Sequence, residues 1–200
     1  KQKQTLARIQ ELCSHITTLT SNLLTLSHSN GDFHRLIRQM INVKMVAVVA
    51  VHSLEGAILR KQIRFETNLP DGEVSFLGDE DDLKSVLLNL LSNAVKFTPE
   101  RGHVKLEVLS RPNGLVLEVS DTGVGIPQSE KAKIFREFYH IDHPEVGAAP
   151  GSGLGLSIVK RIVDSYNGHI SVFSRVGQGS RFRIYLPNPS EKNKLREFLE

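Results

Sequence analysis

The sequence predicts an α+β fold: a two-layer α/β sandwich, a mixed sheet packed on helices, preceded by one long helix. Three observations carry that prediction. Ile9, Leu12, Ile16, Leu19, Leu23 and Leu26 recur at spacings of three and four, so they form one narrow seam of a helix. Asp79 to Phe97 repeats its apolar residues with a helical period, and Leu154 to Tyr166 does the same. Between and after these two helices, short segments alternate apolar and polar residues as strands do.

The leading helix carries polar residues (Gln10, Ser14, Thr17, Thr18, Ser21) between its seam positions and should stop at Ser29-Asn30-Gly31-Asp32, a run of cap and turn residues. About three heptads of narrow seam favour self-association or a hairpin partner over packing on its own domain. Next, Ile41 to Val51 is rich in β-branched residues, and Val46 to Leu59 also reads as a helix; a short strand followed by that helix is expected. Ile63 to Thr67 alternates as a strand, and Pro70-Asp71-Gly72 is a turn. The helix from Asp79 stops at Thr98-Pro99, because proline cannot continue it. His103 to Leu109 and Leu115 to Ser120 form a hairpin around Arg111-Pro112-Asn113-Gly114. The Gly- and Pro-rich stretch from Gly123 to Gly155 should hold one short helix near Glu130 to Tyr139, anchored to the core by Phe135 and Phe138. Asn167-Gly168 closes the helix that begins at Leu154. His169 to Arg175 and Ser180 to Leu186 complete the strands, with Gly177-Gln178-Gly179 between them. The domain plan is thus residues 1–31, 32–188 and a polar tail, 189–200, that suits a short surface helix.

Composition narrows the function. The 200 residues carry 25 basic and 22 acidic side chains, net +3, with no basic block or aromatic–basic interleaving; that argues against nucleic acid. No apolar run approaches the roughly 18 residues of a membrane span, so no membrane contact is expected. The single cysteine, Cys13, forbids an internal disulfide and suits a reducing, cytoplasmic setting. A start at Lys1 rather than Met suggests a fragment, whose parent could be membrane-anchored.

Three groups of residues suggest chemistry. At about 100° per residue, Asp82, Ser85, Asn89, Asn93 and Lys96 share one stripe of the long helix. Carboxamide oxygens suit a hard cation and a lysine suits phosphate, although a solvated polar face would look similar. Two asparagines mid-helix are locally unfavourable, and a broken local rule often marks a functional position. Asp121-Thr122-Gly123-Val124-Gly125-Ile126-Pro127 directly follows a strand; its carboxylate could accept an exocyclic amine and its glycines allow close backbone approach, or the aspartate could simply cap a tight turn. Gly151-Ser152-Gly153-Leu154-Gly155 opens a helix, whose N-terminal N–H groups suit phosphate. It is neither a P-loop nor a dinucleotide fingerprint, because no Gly-Lys-Ser/Thr follows and Leu156 stands where a third glycine belongs.

Taken in order with Phe135 to Phe138, these groups resemble the sensor histidine kinases, within the ATPase superfamily that includes gyrase, the Hsp90 chaperones and MutL. Asn89 to Thr98 is similar to the N box, Asp121 to Gly125 to the first glycine box, Phe135 to Phe138 to the F box, and Gly151 to Gly155 to the second glycine box. The resemblance covers roughly residues 32–187. It implies ATP and Mg²⁺ as cofactors. Asn89 would be the metal ligand, with Asn93 and Lys96 beside it in catalysis and phosphate contact and Phe97 flanking the adenine. Asp121 would take the adenine amine, with Gly123, Gly125 and Ile126 shaping the base pocket. Gly151, Ser152, Gly153, Leu154 and Gly155 would cover the triphosphate, helped by Lys133 and Arg136. The resemblance further implies transfer of the γ-phosphoryl group to a histidine, a response regulator as partner, and a homodimer through the hairpin to which residues 1–31 contribute the second helix.

This chain departs from the family in two places. The motif of an acceptor histidine followed by acidic residue, basic residue and proline is absent; His15 precedes Ile-Thr-Thr, so the acceptor should lie upstream. After Tyr139 the family often has Arg where this chain has His140, which predicts a weaker or pH-dependent lid contact. Where hydrolysing relatives carry a glutamate, this chain has Asn89, a poor general base, which favours transfer over hydrolysis. A nucleotide-binding pseudokinase, and a serine kinase or ATPase of the same superfamily, are the alternatives.

Overall fold

The computed structural model describes residues 38–141 and 152–188. The leading helix, the tail and Gly151 lie outside the described residues. The elements in chain order are β1 (Gln39–Asn42), α1 (Val43–His52), α2 (Glu55–Arg60), β2 (Arg64–Asn68), β3 (Ser75–Gly78), α3 (Glu80–Phe97), β4 (His103–Arg111), β5 (Gly114–Asp121), α4 (Gly155–Ser165), β6 (His169–Ser174) and β7 (Ser180–Pro187).

The main sheet has the order β2-β4-β5-β7-β6. Only the β2–β4 pair is parallel, so the sheet is mixed. One face is apolar: Leu106 and Val108 of β4, Leu115, Leu117 and Val119 of β5, and Ile184 and Leu186 of β7 are buried. They pack against Leu87, Leu90 and Leu91 of α3 and Ile158, Val159 and Val163 of α4 within one core. The alternate positions form a polar outer face, where Glu118 accepts a 2.6 Å bond from the Arg183 guanidinium. One covered face and one wet face make the two layers.

Helix α3 forms for legible reasons. Asp79 caps it, accepting from the N–H groups of Asp81 (2.9 Å) and Asp82 (3.3 Å), and three acidic residues follow in its first turn. Its last turn closes on Thr98, whose hydroxyl donates to the Ala94 carbonyl at 2.6 Å. The β4–β5 hairpin turns through Pro112-Asn113, with Arg111 opposite Gly114 as the turn sequence predicts.

Four local expectations require correction. The first strand is earlier and shorter than Ile41 to Val51 suggested, because the Asn42 side chain accepts the Met45 N–H at 3.2 Å and starts α1 at Val43. The expected single helix to Leu59 is two helices. The Ser53 hydroxyl donates to the Val49 carbonyl at 2.8 Å, and such local bonding competes with helix continuation. Strand β3, antiparallel to β1, was not anticipated. Residues 128–138 form successive turns rather than a helix. Lys133 and Arg136 donate three residues back, and Phe138 adopts a left-handed backbone (φ 59°) and donates its N–H to the Gly153 carbonyl at 3.1 Å.

Candidate nucleotide site

The stripe predicted on α3 exists. Asp82, Ser85, Asn89, Asn93 and Lys96 are all half-buried, while the apolar face of the same helix is buried in the core. Asn89 donates through Nδ2 to the Ser85 carbonyl at 2.9 Å. That bond orients its Oδ1 toward the start of α4, where a Cβ on Gly155 would stand only 2.8 Å from the oxygen. The glycine therefore permits the N-terminus of α4 to meet the amide stripe. Asn93 lies one turn further along, and its side chain makes no hydrogen bond among the described residues. The Lys96 ammonium lies 5.0 Å from the centroid of the Phe97 ring, and burial lowers its pKa.

Asp121 ends β5 at the C-terminal end of α3. Its Oδ1 accepts the N–H groups of Gly123 (2.8 Å) and Ser180 (3.2 Å). Burial nevertheless dominates and pushes the carboxyl up to about 6, the two backbone donors opposing that shift. The glycine segment is stitched to its surroundings: Val124 donates to the Phe97 carbonyl (3.3 Å), Gly177 donates to the Val124 carbonyl (2.8 Å), and the Ile126 N–H bonds to the Ser174 hydroxyl (2.8 Å). Gly125 sits at φ 73°, and a Cβ there would meet the Arg175 carbonyl oxygen at 2.0 Å. Only glycine fits that backbone.

The start of α4 carries Ser152, whose hydroxyl accepts the Leu154 N–H at 3.3 Å, and Leu154 itself is buried. Gly153 and Ser152 are half-buried. In the turn segment the expected anchors divide: Phe135 packs on the core, but Phe138 is 62% exposed. Lys133 is engaged with Glu130 at 3.1 Å, and the Tyr139 hydroxyl bonds the same carboxylate. Those two contacts hold the Glu130 carboxyl below its usual range, Tyr139 contributing more. Arg136 is exposed. Ser180, which fixes Asp121, was missed from sequence; Gly177-Gln178-Gly179 signalled a turn but not a bond to a residue on another strand.

Among the described residues no group of three His, Cys, Asp or Glu could hold a metal alone. The donor set is instead a single amide oxygen, Asn89 Oδ1, which accepts no hydrogen bond among the described residues and adjoins a glycine-lined helix start. That fits a magnesium ion, which prefers oxygen and usually shares its shell between one or two protein ligands, water and substrate phosphate. An apolar groove of about 460 Å³ between α1, α2 and β2 contains none of these residues.

An amide stripe, a strand-end carboxylate and a glycine-opened helix meeting at one end of a two-layer sandwich define a nucleotide-binding, ATPase-type domain. The family described as histidine kinase-, DNA gyrase B- and HSP90-like ATPase matches residues 78–190, and this chain belongs to that family. The chain is 34% identical over 189 residues to the circadian input-output histidine kinase CikA of Synechococcus elongatus, covering 94% of this chain and 25% of that protein. Full-length ShkA in complex with AMPPNP superposes with a TM-score of 0.76 at 26% identity, over 94% of this chain and 40% of that one. Histidine kinase ThkA in complex with the response regulator TrrA gives 0.73 at 25% identity, over 96% and 53%. The chain thus spans about a quarter of the length of the curated relative CikA. Among the described residues no helix is long and apolar enough to cross a membrane.

Proposed function

We propose that this chain is the ATP-binding catalytic part of a sensor histidine kinase, moving the γ-phosphoryl group of ATP to a histidine on a separate helix. The observation that carries the proposal is Asp121, a half-buried carboxylate fixed through one oxygen by two backbone N–H groups beside the Asn89–Lys96 stripe. Its other oxygen is the acceptor for the adenine amine, with Gly123, Gly125 and Ile126 forming the floor for the base and Phe97 its flank. Asn89 holds Mg²⁺ through Oδ1. Asn93 and Lys96 hold phosphate oxygens, and Gly151 to Gly155 close over the triphosphate.

Bound magnesium neutralises phosphate charge, and the protein adds position and electrostatic stabilisation. No carboxylate stands at position 89 to activate water; the side chain there is committed through Nδ2 to Ser85. That supports transfer to a side chain over hydrolysis. A cytoplasmic setting, a response-regulator acceptor and a homodimer through residues 1–31 complete the reading. ThkA, crystallised with its response regulator, supports the second of these.

Calorimetric titration with AMPPNP, with and without Mg²⁺, tests the proposal. Micromolar, magnesium-dependent binding that rejects GTP is expected, followed by phosphohistidine formation on a separately supplied acceptor hairpin. Absence of binding overturns it.

A further inference from the structure

Lys61 lies just beyond α2, remote in sequence from every motif above, and its ammonium points at the C-terminal end of α3. It donates to the carbonyls of Val95 (2.9 Å), Lys96 (2.7 Å) and Thr98 (2.7 Å). An ammonium has three hydrogens, and all three are used. A helix leaves its last four carbonyls without intrahelical partners. In α3 every one is accounted for: Ala94 by the N–H and hydroxyl of Thr98, Val95 and Lys96 by Lys61, and Phe97 by the Val124 N–H. A cation at this end also complements the helix dipole.

The turn so held is not a generic helix end. It presents the Lys96 and Phe97 side chains, and through the Phe97 carbonyl it holds the segment that follows Asp121. Removing Lys61 strands two helix carbonyls and that of Thr98, which then rotate toward water or a 3₁₀ turn. Rotation by even a fraction of a turn moves the lysine, the aromatic ring and the glycine segment together.

We propose that Lys61 is a positioning residue for nucleotide binding, fixing the last turn of α3 and, through it, Lys96, Phe97 and the segment after Asp121. This rests on the nucleotide-site reading above. Lys44 supplies the control: from the first turn of α1 it also donates to a backbone carbonyl, that of Pro70 at 3.2 Å, rather than to any carbonyl of α3.

Lys61→Met, Lys61→Arg and Lys44→Met are compared for AMPPNP affinity by calorimetry and for thermal midpoint. Both methionine variants should melt a few degrees lower. Only Lys61→Met should weaken AMPPNP binding, by about tenfold or more, measured well below its melting temperature, and Lys61→Arg should restore most of the loss. In a double-mutant cycle, Lys96→Met should cost far less affinity on the Lys61→Met background than alone, because Lys96 is already misplaced there. Wild-type affinity in folded Lys61→Met, equal losses in Lys61→Met and Lys44→Met, or an additive cycle would overturn the proposal. If Lys61→Met does not fold, Lys61→Gln, which keeps an amide donor, carries the same comparison. Failure of the wild-type protein to bind AMPPNP sinks the nucleotide-site reading itself, whereas unchanged binding by Lys61→Met sinks only the role of Lys61.

Discussion

The Oδ1 of Asn89 faces the Cα of Gly155, close enough that a Cβ would stand 2.8 Å away. Two segments 66 positions apart (155 − 89) in sequence therefore share one surface. Gly155→Ala should force the Asn89 amide off its bond to Ser85, because that amide is the nearest atom group. Alanine favours helix over glycine by up to about 1 kcal/mol, which offsets the crowding in stability. The expected result is a urea midpoint close to wild type with AMPPNP affinity reduced about tenfold or more, roughly 1.4 kcal/mol. A fall in stability with affinity intact would show that the contact is packing alone.

Asn89→Ala separates the metal from the rest of the site. It loses a hydrogen bond worth about 1 kcal/mol but gains helix propensity, so the fold should hold. AMPPNP affinity should become nearly the same with and without Mg²⁺, and EDTA should no longer weaken binding. If magnesium still raised affinity as in wild type, the metal ligand would lie elsewhere.

Asp121 sets a stability–affinity opposition with a defined pH sign. Its carboxyl is raised from 3.8 unfolded to about 6 folded, chiefly by burial. Between those values the folded state binds more protons, so the contribution of this group favours folding at low pH and is lost as pH rises through about 6. At neutral pH its ionisation costs on the order of 3 kcal/mol. Asp121→Asn keeps an oxygen for the Gly123 and Ser180 N–H bonds without that cost, so it should melt higher at pH 7. Its AMPPNP affinity should drop about a hundredfold. Wild-type affinity should also fall as pH drops below about 6, a dependence the asparagine variant should lack. A variant that binds normally would move the base pocket away from Asp121.

How much of this was legible follows from where the bonding lies. Helix α3 was readable because its cap, its acidic first turn, its apolar period and its Thr98-Pro99 stop are all local. The hairpin at Pro112-Asn113 was readable for the same reason. Strand β3 was not: Ser75 to Gly78 is four residues long, and what makes it a strand is Gln39 to Asn42, far upstream. Lys61 and Ser180 carried no signal, because a lone lysine after a helix and a serine after a glycine turn look ordinary until their partners 34 and 59 positions away arrive. The Glu130–Tyr139 segment misled in the opposite direction. Its composition suits a helix, but a tertiary bond to Gly153 turns the chain at Phe138.

That turn leaves Phe138 as a large aromatic residue in a left-handed backbone, 62% exposed as a residue. Left-handed geometry costs a residue with a Cβ roughly 1 kcal/mol, and asparagine tolerates it better than phenylalanine. Little burial is lost on removing a ring that is mostly in water. Phe138→Asn should therefore stabilise the domain by about 0.5–1 kcal/mol, raising the thermal midpoint by a few degrees. AMPPNP affinity should stay near wild type, since the Phe138 N–H, which bonds Gly153, is unchanged. A lower midpoint would mean that the buried part of the ring contributes more than the backbone strain removes, and that Phe138 is an anchor after all.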